Sequence, residues 1–169
     1  MKLTDLFLAE LDRETPKSRR TLEHVPEGKP DWKPHDKSMP LGYLALLVAI
    51  IPDWIAKIIE QDELDVAPKD APSRRPQPVS TRKELLAALD KSVESARAAL
   101  QKTTDAHLMT NWKLLAAGNV VSETPRHVAI RDTINHLAHH RGQLTVYLRL
   151  NGEMVPSVYG PTADDKSFG

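Results

Sequence analysis

The chain has 169 residues, 23 Lys+Arg against 23 Asp+Glu, and no cysteine. Zero net charge removes the basic footprint that nucleic-acid binding needs, and the missing thiols exclude disulfides, thiolate metal sites and a cysteine nucleophile. No signal-peptide core opens the chain and its longest apolar run, 44–51, is too short to cross a bilayer, so the expectation is a cytoplasmic protein without nucleic-acid or membrane partners.

Four segments carry helical periodicity. The first covers 3–24, with Leu3, Phe7, Leu11, Ser18 and Leu22 near one face. Thr15-Pro16 interrupts it, which predicts a kink or two short helices. The second covers 40–61, with Ser38 as N-cap and Pro40 in the first turn. Its apolar residues cover most of the circumference, so it is either the central helix of a bundle or a subunit interface. Pro52 should bend it. Residues 62–78, rich in Pro, Asp, Lys and Arg, read as a long irregular crossover. The pairs Arg19-Arg20 and Arg74-Arg75 read as solvated surface charge.

The third helix covers 80–102, capped by Ser80, with a narrow stripe of Leu85, Leu89, Val93, Ala96 and Leu100. In the connection after it, Trp112, Leu114, Val120 and Val121 predict a short extended pair around Gly118-Asn119. The fourth helix covers 124–150, capped by Thr124 and ended by Asn151-Gly152. Its core stripe is Ile130, Ile134, Leu137, Leu144 and Leu148. The tail, 151–169, contains Pro156, Gly160 and Pro161, and its apolar residues predict that it packs back on the body.

His136 and His140 stand four apart on the fourth helix, so both imidazoles share one face and suit a common divalent ion. They lie on the flank of the core stripe, facing a groove between helices. Asp132, one turn earlier, is placed to accept a hydrogen bond from the far nitrogen of His136 and orient it, whereas His139 faces elsewhere. The plainer alternative is a polar helix flank with ordinary hydrogen bonds. Two ligands also fall short of the three that a catalytic zinc takes.

The run HLAHHRGQLTVYLRLNGEMVPSVYGPTADD, 136–165, resembles the C-terminal signature of the DinB-like (DinB/YfiT-like) family, and WKPHDKSMPLGYLA, 32–45, resembles its entry into the second helix. VPEGKPDWKP and TPRHVAIRDTINH extend the similarity over most of the chain. The resemblance implies one domain over 1–169, an all-α four-helix bundle with a long crossover. It also implies a metal site of three histidines, two matching His136 and His140. The third belongs in the second helix, where the matching position holds Leu47. Of the other candidates, His24, His35, Asp53, His107 and His127, none reads as an evident replacement.

Two functional readings follow. One is a metal-dependent transferase of low-molecular-weight thiols or a hydrolase, using Zn, Ni or Fe at His136 and His140, with Arg141 or Tyr147 as substrate contacts; the plainer readings of those two are a helix-surface salt bridge and a core-edge aromatic. The other is a non-catalytic, metal-free binder of small ligands or an interaction module, assembled as a homodimer through the apolar second helix.

Overall fold

The computed structural model describes residues 2–69 and 78–167; Arg74-Arg75 lies outside them. Among the described residues, six helices and three short strands follow in the order α1 (Leu3–Glu23), α2 (Leu41–Ile50), α3 (Asp53–Glu60), β1 (Glu63–Asp65), α4 (Arg82–Lys102), α5 (Asp105–Leu108), β2 (Asn111–Ala116), β3 (Asn119–Pro125) and α6 (Arg126–Leu150). The architecture is mostly helical with a small three-stranded sheet, so the all-α expectation holds only with the extended pair counted and one further strand added.

α1 runs unbroken through Pro16, not as two helices. Proline costs one backbone hydrogen bond there, but the following turn is pinned by tertiary contacts, with Glu14, Lys17, Ser18 and Thr21 all buried. Arg19–Asp90 and Arg97–Asp12 ion pairs fasten α1 to α4 across the surface.

The second predicted helix divides where Pro52 stands: α2 and α3 meet at 51°. α2 begins at Pro40 without a side-chain cap, so Ser38 does not cap it. Its entry is fixed instead by backbone bonds to the preceding loop, Leu41 N to Trp32 O at 2.9 Å and Gly42 N to Pro30 O at 2.8 Å. Glycine is required at that crossing, because a Cβ on Gly42 would come within 2.8 Å of Val79 O. The apolar circumference of α2 is covered by α1, α4 and α6 of the same chain. Burying it needs no second subunit. Among the described residues no single helix is long and apolar enough to cross a membrane.

The cap of α4 is Thr81, one residue beyond Ser80. Its Oγ1 accepts from Glu84 N at 3.3 Å, the N-cap bond, and donates to Glu84 Oε2 at 2.6 Å. Ser92 Oγ donates to Ala49 O where α2 meets α4.

The predicted extended pair is present as β2 and β3, antiparallel from Asn111↔Pro125 to Ala116↔Asn119. Its turn sits at Ala117-Gly118, one residue earlier than Gly118-Asn119, with φ of 53° and 78°; two consecutive positive values suit a two-residue hairpin. The crossover also supplies a strand: β1 pairs in parallel with β2, so 62–78 is not wholly irregular. The Asp65 carboxylate accepts from the amides of Ala67, Ala117 and Gly118, which locks β1 to the hairpin tip.

β3 runs directly into α6, so Thr124 is a strand residue and Pro125 precedes the helix without a side-chain cap. At the other end Asn151 is the C-cap and Gly152 follows at φ 76°. Two core clusters share the bundle. One joins α2 to the first half of α4 and the second half of α6. The other joins the first half of α1 to α3, the second half of α4 and the first half of α6. Leu47 belongs to the former.

Candidate functional site

α6 carries His136 half-exposed and His140 buried, with ring centroids 4.4 Å apart. Their Nε2 atoms face one another at 2.6 Å. Gln143 Oε1 accepts from His140 Nδ1 at 2.7 Å, so His140 Nε2 holds the lone pair and accepts from His136 Nε2–H. Trp54 of α3 lies against His136, centroids 5.2 Å apart. Burial first, then the neighbouring imidazoles, holds His136 below its ordinary pKa of 6.5. Burial and His139 do the same to His140, against a smaller opposing effect of the Gln143 hydrogen bond. Both rings are therefore neutral at neutral pH.

Asp132 stands one turn before His136; among the described residues no hydrogen bond joins the two. The residue that orients the pair is Gln143. Leu47 is a core residue, 9 % exposed. The alternative ligands are dispersed. His107 Nε2 bonds Ile59 O, His127 Nδ1 bonds Leu108 O, and His35 Nδ1 accepts from Lys37 N. His24 caps the end of α1, and Asp53 pairs with Lys57.

Among the described residues no three His, Asp or Glu converge. The chain therefore does not fit a three-histidine metal centre. Two-point ligation would also need rearrangement: Zn–N bonds of about 2.05 Å at a tetrahedral angle put the nitrogens about 3.3 Å apart. His136 would have to move its proton from Nε2 to Nδ1.

Beside the pair opens a groove of about 560 Å³ between the sheet and the α3/α6 wall. That volume lies in the roughly 300–1,000 Å³ range of small-molecule sites. Trp54 and Ile58 come from α3, Leu64 and Val66 from β1 and the residue after it, Trp112 and Leu114 from β2. Asp132 and His136 are its polar residues on α6, together with Thr133, whose hydroxyl donates to Ala129 O. Trp112 is 7 % exposed and its Nε1–H has no hydrogen-bond partner among the described residues. Alternation around Trp112 and Leu114 is the sequence signal for the sheet face; the three-residue β1 leaves none.

Arg141 and Tyr147, expected as substrate contacts, are engaged elsewhere. Arg141, 1 % exposed, meets Glu14 Oε2 at 2.5 Å and donates to Ser18 Oγ at 3.1 Å and Tyr159 OH at 2.6 Å. Lys17 meets the other carboxylate oxygen at 2.7 Å, and Tyr159 donates to Glu14 at 2.7 Å. Desolvation pushes Glu14 up, yet the hydrogen bonds from Lys17, Arg141 and Tyr159 together bring it below its ordinary value. Through the Tyr159 hydroxyl the C-terminal tail is fastened to α1 and α6. Tyr147 packs edge-on against Trp32 and donates to Met39 O at 3.2 Å.

The family model described as "DinB family" matches residues 2–167. Two solved structures are similar. A DinB-like protein of Bacillus cereus ATCC 10987 superposes with a TM-score of 0.68 at 24 % identity, covering 90 % of this chain and 95 % of its own. A DinB-like protein of Bacillus subtilis, YjoA, gives 0.65 at 16 % identity, covering 88 % and 94 %. At such identities the likeness carries the fold alone. No curated protein matches the chain.

Proposed function

The chain belongs to the DinB family, and from that premise we propose that it is a small-molecule-binding bundle whose ligand occupies the groove between the sheet and the α3/α6 wall. The observation that carries this reading is the groove itself, about 560 Å³ and mostly apolar, ending on the His136 imidazole. Aromatic walls supply contact area, and a few polar groups at one side orient the ligand.

A second reading keeps the metal of the DinB-like resemblance: a divalent ion (Zn, Ni or Fe) on His136 and His140, with thiol transfer or hydrolysis as its chemistry. It is favoured by the convergence of the two Nε2 atoms at 2.6 Å. It is opposed by Leu47, which leaves the set one donor short. The test is the metal content of tag-free protein beside Leu47→His. The small-molecule reading expects substoichiometric metal in the native chain and a gain in Leu47→His. About one ion per native chain would establish the second reading instead.

A further inference from the structure

We propose that the ligand of the groove is a small hydrophobic amine, its ammonium held at Asp132 and its body against Trp54 and Trp112. This rests on the groove being the binding site and names the chemistry it selects. Among the residues lining the groove, Asp132 is the one carboxylate, and there is no Lys or Arg. Its carboxylate has no hydrogen bond or ion pair among the described residues, although seven ion pairs are formed among them. The neighbouring polar groups are engaged elsewhere: His136 Nε2 meets His140 Nε2, and the Thr133 hydroxyl donates to Ala129 O.

The groove therefore presents one unpaired negative charge at the edge of an apolar, aromatic wall. An anionic ligand meets like charge without a cation to offset it. A neutral ligand gains the apolar contact but leaves the carboxylate without a counter-charge. A cation with an apolar body does both tasks. Its ammonium replaces the water at Asp132, and an indole face attracts the same charge through the ring quadrupole. The two tryptophans reach the groove from different elements, α3 and β2, so an aryl or alkyl chain bridges the helical wall and the sheet.

The test uses three probes of one shape on the full chain treated with chelator: 2-phenylethylamine, 2-phenylethanol and phenylacetate. The readout is the indole N–H signals of Trp54 and Trp112 in nitrogen-labelled protein, assigned with Trp54→Phe and Trp112→Phe. The amine is expected to bind about tenfold more tightly than the alcohol, the sum of an exposed ion pair and a cation–π contact, and phenylacetate more weakly than either. Asp132→Asn, a solvent-exposed position, should keep the fold by circular dichroism and bring the amine down to the affinity of the alcohol. Equal affinity for amine and alcohol, or tighter binding of phenylacetate, overturns the amine assignment while leaving the groove as the site. No shift of either indole by any probe overturns the amine assignment and the groove reading together.

Discussion

Replacing Glu14 by alanine removes the one anion that faces two buried cations. Arg141 and Glu14 have side chains 1 % and 7 % exposed, and Lys17 is 10 % exposed. After Glu14→Ala, Arg141 keeps Ser18 Oγ, Tyr159 OH and the main-chain carbonyl of residue 14, but neither cation has a counter-charge. Truncating one partner of a buried pair costs about 3–5 kcal/mol, because the other charge is stranded. At roughly 2–4 °C per kcal/mol for a chain of this size, Tm should fall by about 10 °C. The urea midpoint should fall by about 2 M for a slope of roughly 2 kcal/mol per molar. Glu14→Ala/Arg141→Met should recover part of the loss, since Lys17 is then the one cation of the pair left without Glu14. The Glu14 pKa is depressed in the folded state, so its stabilisation is complete above the ordinary value of 4.5 and is lost as pH falls through the folded value. Glu14→Gln should therefore flatten the acid limb of the stability profile. Equilibrium urea unfolding at several pH values measures all of this. A loss below about 1 kcal/mol for Glu14→Ala would mean that Arg141 and Lys17 rehydrate freely, and the tail latch as described would be wrong.

Arg126 donates to Ile58 O, Gln61 O, Asn111 O and Thr110 Oγ1, and pairs with Asp62. Arg126→Met should cost about 2–4 kcal/mol in urea unfolding, less than a fully buried pair because Asp62 is solvated. Asp65→Ala removes the carboxylate acceptor of the Ala67 and Gly118 amides, while Ala117 N keeps Ala67 O, and should speed hydrogen exchange at Gly118 more than tenfold while lowering global stability by about 1–2 kcal/mol. In chelator-treated protein, the lowered His136 and His140 pKa values mean that the folded state resists protonation. Stability should be level above the ordinary value of 6.5 and decline as pH falls below it, until the folded values are reached. His136→Asn/His140→Asn should remove that part of the slope, as followed by thermal melts across pH.

Periodicity made the four long helical segments legible, and Pro52 marked the bend between α2 and α3 because a missing amide acts locally. Cap positions were less legible: Thr81 and Ser80 are both good caps, and only the partner Glu84 three residues on separates them. Pro16 misleads because tertiary burial of Glu14, Lys17 and Ser18 outweighs one lost hydrogen bond. β1 was invisible, since three residues, Glu63–Asp65, carry no pattern and their pairing partner lies about fifty residues away. The histidine pair could be read from its spacing. The groove could not, because Trp54, Trp112 and Asp132 come from separate elements and meet only once the sheet docks on α3 and α6. Arg141 illustrates the same limit: next to His140 in sequence, it turns to Glu14, far away on α1.

The most direct test of the groove as the functional site is a titration of 2-phenylethylamine into protein stripped with chelator and again into protein reloaded with zinc. The Trp112 indole signal reports occupancy. The account predicts saturable binding in the stripped protein and an affinity unchanged by zinc within about twofold, because none of the proposed contacts uses a metal. Binding that appears only with a stoichiometric ion would contradict it and make the His136–His140 pair the centre of function.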